Sequence, residues 1–194
     1  MAINLTKGQR VSLEKSMTLA LVGLGWDTNR YDGGYPFDLD ATVFLLGENG
    51  KLLRDEDFVF YNNLSARDGA VIHTGDNIDG TGDGDDEVIY IDFTKMPSEI
   101  KKIAICVTIH DAAVRRQNFG QVSNAYIRIA KRADEFDEVG EQVLKFDLEE
   151  EFSIETALVV AEIYWRNGEW KFNAVAAGYQ GGLEAIVRSF GGNV

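Results

Sequence analysis

Residues 76–87 gather six carboxylates, Asp76, Asp79, Asp83, Asp85, Asp86 and Glu87, interleaved with Gly80, Gly82 and Gly84 and with no Lys or Arg among them. Glycine turns the backbone tightly with positive φ, so neighbouring carboxylates and carbonyls can face one centre. Hard oxygen donors in a glycine-hinged loop suit calcium better than zinc or a redox metal. The competing reading is an acidic loop that simply faces water. Against it, Glu87 runs directly into Val-Ile-Tyr-Ile-Asp-Phe, an alternating strand that fixes the end of the loop. A helix-loop-helix calcium motif started at Asp79 puts Asp79, Thr81, Asp83, Gly84 and Asp85 at its first, third, fifth, sixth and seventh positions. Its twelfth position is then Tyr90 instead of Glu, and no amphipathic helix flanks it, so the pattern is a calcium-type loop between strands.

A second acidic element lies upstream in the polar run 26–41, which feeds a strand. Strand side chains alternate, so Asp38 and Asp40 share one face about 7 Å apart, while Leu39, Ala41 and Val43 take the other. That spacing fits two ligands of one ion, or one each for neighbouring ions; blunting of an edge strand is the alternative. Thr42, Phe44 and Leu46 continue the acidic face with growing apolar character, which sets the acids at the rim of a sandwich, where loops converge. Asp27, after Trp26, is placed either as a ligand or as a turn-forming residue.

The elements that must carry these groups read as short apolar alternations separated by Gly, Asn and Asp clusters, the rhythm of a mainly β, antiparallel sandwich or barrel. Strands are expected near 10–13, 17–24, 39–46, 58–61, 88–93, 103–110, 125–131, 143–148, 156–165 and 170–177. Asn167-Gly168 marks a two-residue hairpin. Residues 97–100 read as one helical turn, and Leu183, Ile186, Val187 and Phe190 as a short amphipathic C-terminal helix. With 194 residues, 45% of them hydrophobic, a single domain over 1–194 is expected.

A net charge of −13 argues against nucleic acid and against unaided attachment to anionic lipid. The N-terminus lacks a basic region followed by an apolar run, and uncharged runs such as 16–26 fall far short of a membrane span, so the chain reads as soluble and intracellular. The single cysteine, Cys106, lies in an apolar run and reads as a buried structural thiol. His73 and His110 stand on separate strands without a ligand-spaced partner, His73 half-buried, and no phosphate-loop or dinucleotide fingerprint occurs.

The opening Ile3-Asn-Leu-Thr-Lys-Gly-Gln-Arg-Val-Ser-Leu13, Gly23-Leu-Gly-Trp-Asp27, Phe37-Asp-Leu-Asp-Ala41, Gly75-Asp-Asn77 with Gly82-Asp-Gly-Asp-Asp-Glu87, and Asn118-Phe-Gly120 together resemble the TerD-domain family of bacterial tellurite-resistance and stress-response proteins. The resemblance covers essentially the whole chain. It implies a two-sheet sandwich without known enzymatic activity, binding calcium ions at one end; the combined charge of the two acidic elements exceeds what one divalent ion balances, so about two ions are expected. The implied ligands come from the acidic loop (Asp76, Asn77, Asp79, Gly80, Asp83, Asp85, Asp86, Glu87), from Asp38 and Asp40, and from the neighbourhood of Asp27. The family's loop commonly carries Thr and Glu where this chain has Asp79 and Thr81. Tellurite is an oxyanion that a strongly acidic pocket repels, so an indirect role is expected. Expected partners are proteins of a stress-response complex; calcium-dependent membrane association, with Lys51, Arg54, Arg115 and Arg116 as basic candidates, is the alternative. A metal-assisted hydrolase is disfavoured, because carboxylate catalysis needs two acids with divergent pKa values.

Overall fold

A computed structural model describes residues 2–27, 34–81, 84–148 and 154–193. In chain order the strands are β1 (Ile3–Asn4), β2 (Arg10–Ser12), β3 (Leu19–Gly25), β4 (Leu39–Leu46), β5 (Phe58–Val59), β6 (Ser65–Ala66), β7 (Val71–His73), β8 (Glu87–Asp92), β9 (Lys102–Ile109), β10 (Tyr126–Lys131), β11 (Glu141–Asp147), β12 (Ala157–Arg166) and β13 (Glu169–Tyr179). A four-residue helix α1 (Ala112–Arg115) follows β9, and α2 (Gly182–Ser189) closes the chain. One sheet runs β1-β11-β10-β3-β8-β7-β6 and the other β2-β13-β12-β9-β4-β5. Among the described residues these strands pair antiparallel except β1 with β11.

Alternation builds the interior. Val22 and Leu24 of β3, Ile89 and Ile91 of β8, and Leu39, Ala41, Val43 and Leu45 of β4 meet in one core between the sheets. The opposite face of β4 carries a second core, in which Phe44 and Leu46 pack with Cys106, Ile186 and Val187 under α2, and Phe44 stacks on Phe58 at 4.6 Å. The C-terminal helix is thus the lid of the outer face of the second sheet. Cys106 is fully buried there and burial drives its thiol well above the ordinary range, so it acts as a small apolar filler.

Each strand expected from the alternation is present, and both Asn167 and Gly168 have the positive φ of a type I′ turn, with Trp165 paired across it to Trp170. Three strands were not expected, β1, β6 and β7, each of two or three residues and too short to show a period, and neither was the four-residue helix α1. Residues 97–100 form a hydrogen-bonded turn, Ile100 N–H to Pro97 O at 3.0 Å, and not a helical turn. Among the described residues no helix is long and apolar enough to cross a membrane.

Register places the ends of β3, β7, β9, β11 and β13 and the starts of β4, β8, β10 and β12 at one end of the sandwich. Both acidic elements lie at that end.

Candidate metal centre

β5 pairs with β4 only at Val43 and Phe44, so the edge of β4 beside Ala41 needs other partners. Two side chains of the facing sheet supply them. Glu87, the first residue of β8, accepts the Ala41 N–H through Oε2 at 2.6 Å, and His73 Nε2 lies 3.1 Å from Ala41 O. Gly75 N–H donates to His73 Nδ1 at 3.1 Å, which places the ring proton on Nε2, the nitrogen facing Ala41 O. His73 is therefore fully buried and bonded on both nitrogens, where a half-buried position was expected. A histidine inside an apolar strand must find polar partners, and that requirement was the available signal for its role.

With the Ala41 peptide clamped, Asp38 and Asp40 project from the opposite face of β4, both buried. Asp76, exposed in the β7–β8 connection, reaches the same point: one carboxylate oxygen from each of the three lies within 4.8 Å of the others. Oxygens around a calcium ion at about 2.4 Å have this spacing. Asp38 Oδ2 accepts from Arg115 Nη1 at 3.2 Å, whereas its buried Oδ1 has no partner. Burial pushes the Asp40 carboxyl up to about 8, helped by the charges of Glu87, Asp38 and Asp76. Asp38 and Glu87 are raised as well, chiefly by burial; His110 and Arg115 oppose the shift at Asp38, and His73 and the Ala41 N–H oppose it at Glu87. Such a set of acids is costly to ionise together unless a cation joins it. The donors are hard oxygens, one of them orphaned, and they fit calcium.

The rest of the acidic loop is spent differently. Asn77 Oδ1 accepts the N–H groups of Asp79 and Gly80, and its Nδ2 donates to Thr81 O and Asp86 Oδ1, so it organises the loop. Asp79 Oδ1 holds the N–H and hydroxyl of Thr81. Gly80, with φ +68°, lies against the Trp26 indole, where an added Cβ would fall 2.4 Å from Nε1. Asp86 accepts the Trp26 N–H at 2.9 Å; burial raises its carboxyl, and Asp85, Asp79 and Asp27 add to the shift. Asp27 accepts from Asn124 Nδ2. Asp85 lies over Gly23 on the outer face of the first sheet, across the sandwich from Asp40, where both its oxygens bond Arg128 Nε at 2.8 Å and Tyr126 O–H donates to it. Asp83 lies outside the described residues. The structure thus joins Asp38, Asp40 and Asp76 directly, with Glu87 supporting the strand beneath them, and holds Asp85 apart.

Beside the cluster opens a cavity of about 500 Å³, lined by Asp40, Tyr61 and His110 and by the start of α2. No sequence pattern connected Tyr61 with His110; their rings meet edge to face at 6.0 Å.

The geometry defines a class: a two-sheet β sandwich that gathers buried carboxylates at one end. Residues 1–190 match the TerD domain model, and the chain belongs to the TerD family. It is 52% identical to the tellurium resistance protein TerD of Serratia marcescens, over 100% of this chain and 99% of that one, and 50% identical to general stress protein 16U of Bacillus subtilis (strain 168), over 98% of each. The crystal structure of a TerD homologue from Streptomyces coelicolor A3(2) shares the fold, with a TM-score of 0.72 at 19% identity, covering 92% of this chain and all of that one.

Proposed function

We propose that this protein is a calcium-binding, non-enzymatic stress module of the cytoplasm, a single domain in which the ion orders one end of the sandwich as a docking surface. The observation that carries this reading is the orphaned, buried Oδ1 of Asp38 inside a cluster completed by Asp40 and Asp76. Those three would hold the ion; Asp86, on which the charges of Asp85, Asp79 and Asp27 act, marks the neighbourhood of a second with Asp79 and Asp27. The cation neutralises the cluster, in which burial opposes the ionisation of Asp38 and Asp40. A catalytic pair of carboxylates is not favoured, since both Asp38 and Asp40 are shifted the same way. The role in tellurite resistance is indirect, because the acidic end repels an oxyanion.

Calorimetry on chelator-treated protein tests the reading, with magnesium as the control ion. Stoichiometric calcium uptake with weak magnesium competition is expected, since magnesium demands a rigid octahedron. Absence of uptake at millimolar calcium, or loss of none of it in Asp38→Asn/Asp40→Asn, overturns the proposal.

A further inference from the structure

Four of the connections at the acidic end each carry an apolar side chain held out in solvent: Tyr35 (64% exposed) before β4, Ile78 (62%) in the β7–β8 loop, Val114 (79%) in α1 and Ile154 (59%) before β12. All four belong to the surroundings of the carboxylate cluster. The Tyr35 ring sits 5.9 Å from the Arg115 guanidinium, which pairs with Asp38; Ile78 follows Asp76 by two residues; Val114 and Ile154 line the cavity that Asp40 also lines. Arg116 is exposed beside Val114. Large apolar side chains grouped at an exposed functional end mark an interaction surface.

We infer that this end docks on an anionic phospholipid bilayer when calcium is bound, the apolar tips entering the interface and the ion and Arg116 meeting headgroup phosphates. The inference rests on the reading of a bound calcium ion. A net charge of −13 repels an anionic membrane, so the acidic end can approach one only after a cation offsets its local negative charge. Calcium takes six to eight oxygens, more than the cluster found among the described residues, Asp38, Asp40 and Asp76, supplies with one Asp38 oxygen already on Arg115, which leaves coordination for phosphate oxygens. A phospholipid surface presents such oxygens directly above an apolar layer, matching apolar tips arranged about a cation. A folded protein partner would instead need a continuous complementary patch, whereas these grouped tips rise from four separate connections.

The test is sedimentation of the full chain with vesicles of phosphatidylcholine plus phosphatidylserine, or of phosphatidylcholine alone, in calcium or in chelator, with calorimetric calcium uptake measured in parallel. Binding is expected only to the serine-containing vesicles in calcium. The triple variant Ile78→Ser, Val114→Ser, Ile154→Ser should lose about tenfold or more of that binding while keeping its calcium uptake. Phe136→Ser, which removes a tip 82% exposed in the β10–β11 connection at the other end, should bind like the parent. Calcium uptake without vesicle binding overturns the inference and leaves the metal reading standing, as does calcium-dependent self-association in its place, which would assign the tips to a protein contact. Equal binding by the triple variant, or loss of binding in Phe136→Ser, overturns it too. Failure of calcium uptake removes both.

Discussion

Asp40 gives the most discriminating measurement, the stability of the metal-free protein against pH. Its carboxyl titrates near 8 when folded and near the ordinary carboxylate value of ~3.9 when unfolded. Between those values the native chain holds a proton that the unfolded chain has released. For a raised pKa the native state is therefore favoured below about pH 4 and loses that advantage steadily as pH climbs toward 8. About four decades at ~1.36 kcal/mol each give a loss on the order of 5 kcal/mol, a large part of a typical domain's stability. Because Asp38 and Glu87 are raised alongside it, the loss belongs to the cluster as a unit. The surface carboxylates Glu14, held low by Lys131, Asp137, held low by the Ala133 N–H, and Glu169, held low by Lys171, act in a separate window: their stabilisation is lost only as pH falls below about 4. Urea unfolding in chelator at about pH 5, 6, 7 and 8 should show stability falling throughout. Asp40→Asn cannot titrate, so its profile should be much flatter and it should exceed the parent in stability near pH 8. Saturating calcium should flatten the parent's profile as well, and its uptake near neutral pH should release a proton, seen as a binding heat that varies with the buffer. A parent profile that is level or rising from pH 5 to 8 without metal, or an Asn variant with the parent's slope, would refute the argument.

Two further outcomes follow from the sorting of the acidic loop. Asp85→Asn should cost about 2 kcal/mol in urea unfolding by leaving the nearly buried Arg128 without its counter-charge, yet change calcium uptake little, so a large loss of uptake with no loss of stability would place Asp85 at the ion instead. Gly80→Ala should be destabilising by about 1–3 kcal/mol, through the positive φ and the collision with Trp26, and should shift the indole fluorescence; an unchanged melting curve and spectrum would show that the loop does not lie on the indole.

Much of the architecture was legible because alternation over six or more residues has one physical reading. The β4 pattern, with Leu39, Ala41, Val43 and Leu45 inside and Asp38, Asp40, Thr42 and Phe44 outside, appears in the structure as two separate cores, one on each face. β6 and β7 carry no such pattern. Ser65–Ala66 is a strand only because Ile72 and Val71 lie beside it, and Val71–His73 only because β8 does, so both are properties of the assembled sheet. The turn at 97–100 was over-read for a related reason: proline followed by polar residues opens a turn as readily as a helix, and only a continuing apolar period, which this segment lacks, distinguishes them.

The candidate site divides along the same line. Charge density and glycine spacing located the loop, and the two-residue period placed Asp38 and Asp40 on one face. Where each acid's charge is spent depends on partners distant in the chain. Asp85, Asp86 and Glu87 are consecutive, yet they go to Arg128, to the Trp26 N–H and to the Ala41 N–H. Uninterrupted alternation from β8 would have turned Asp85 inward with Glu87; a bend at Asp86 instead sends it over Gly23, where the absence of a side chain leaves room for the carboxylate. Sequence counts the six acids of the loop alike. Folding neutralises Asp85 with a guanidinium, gives Asp86 and Glu87 backbone donors, and leaves Asp40 hard to ionise, because burial and three other carboxylates outweigh its hydrogen bond from Thr108. The imbalance that calls for a cation is therefore set by the positions of Arg115, Arg128 and His73 as much as by the acids themselves. Moving a single arginine toward Asp40 would be expected to weaken calcium uptake without removing any ligand.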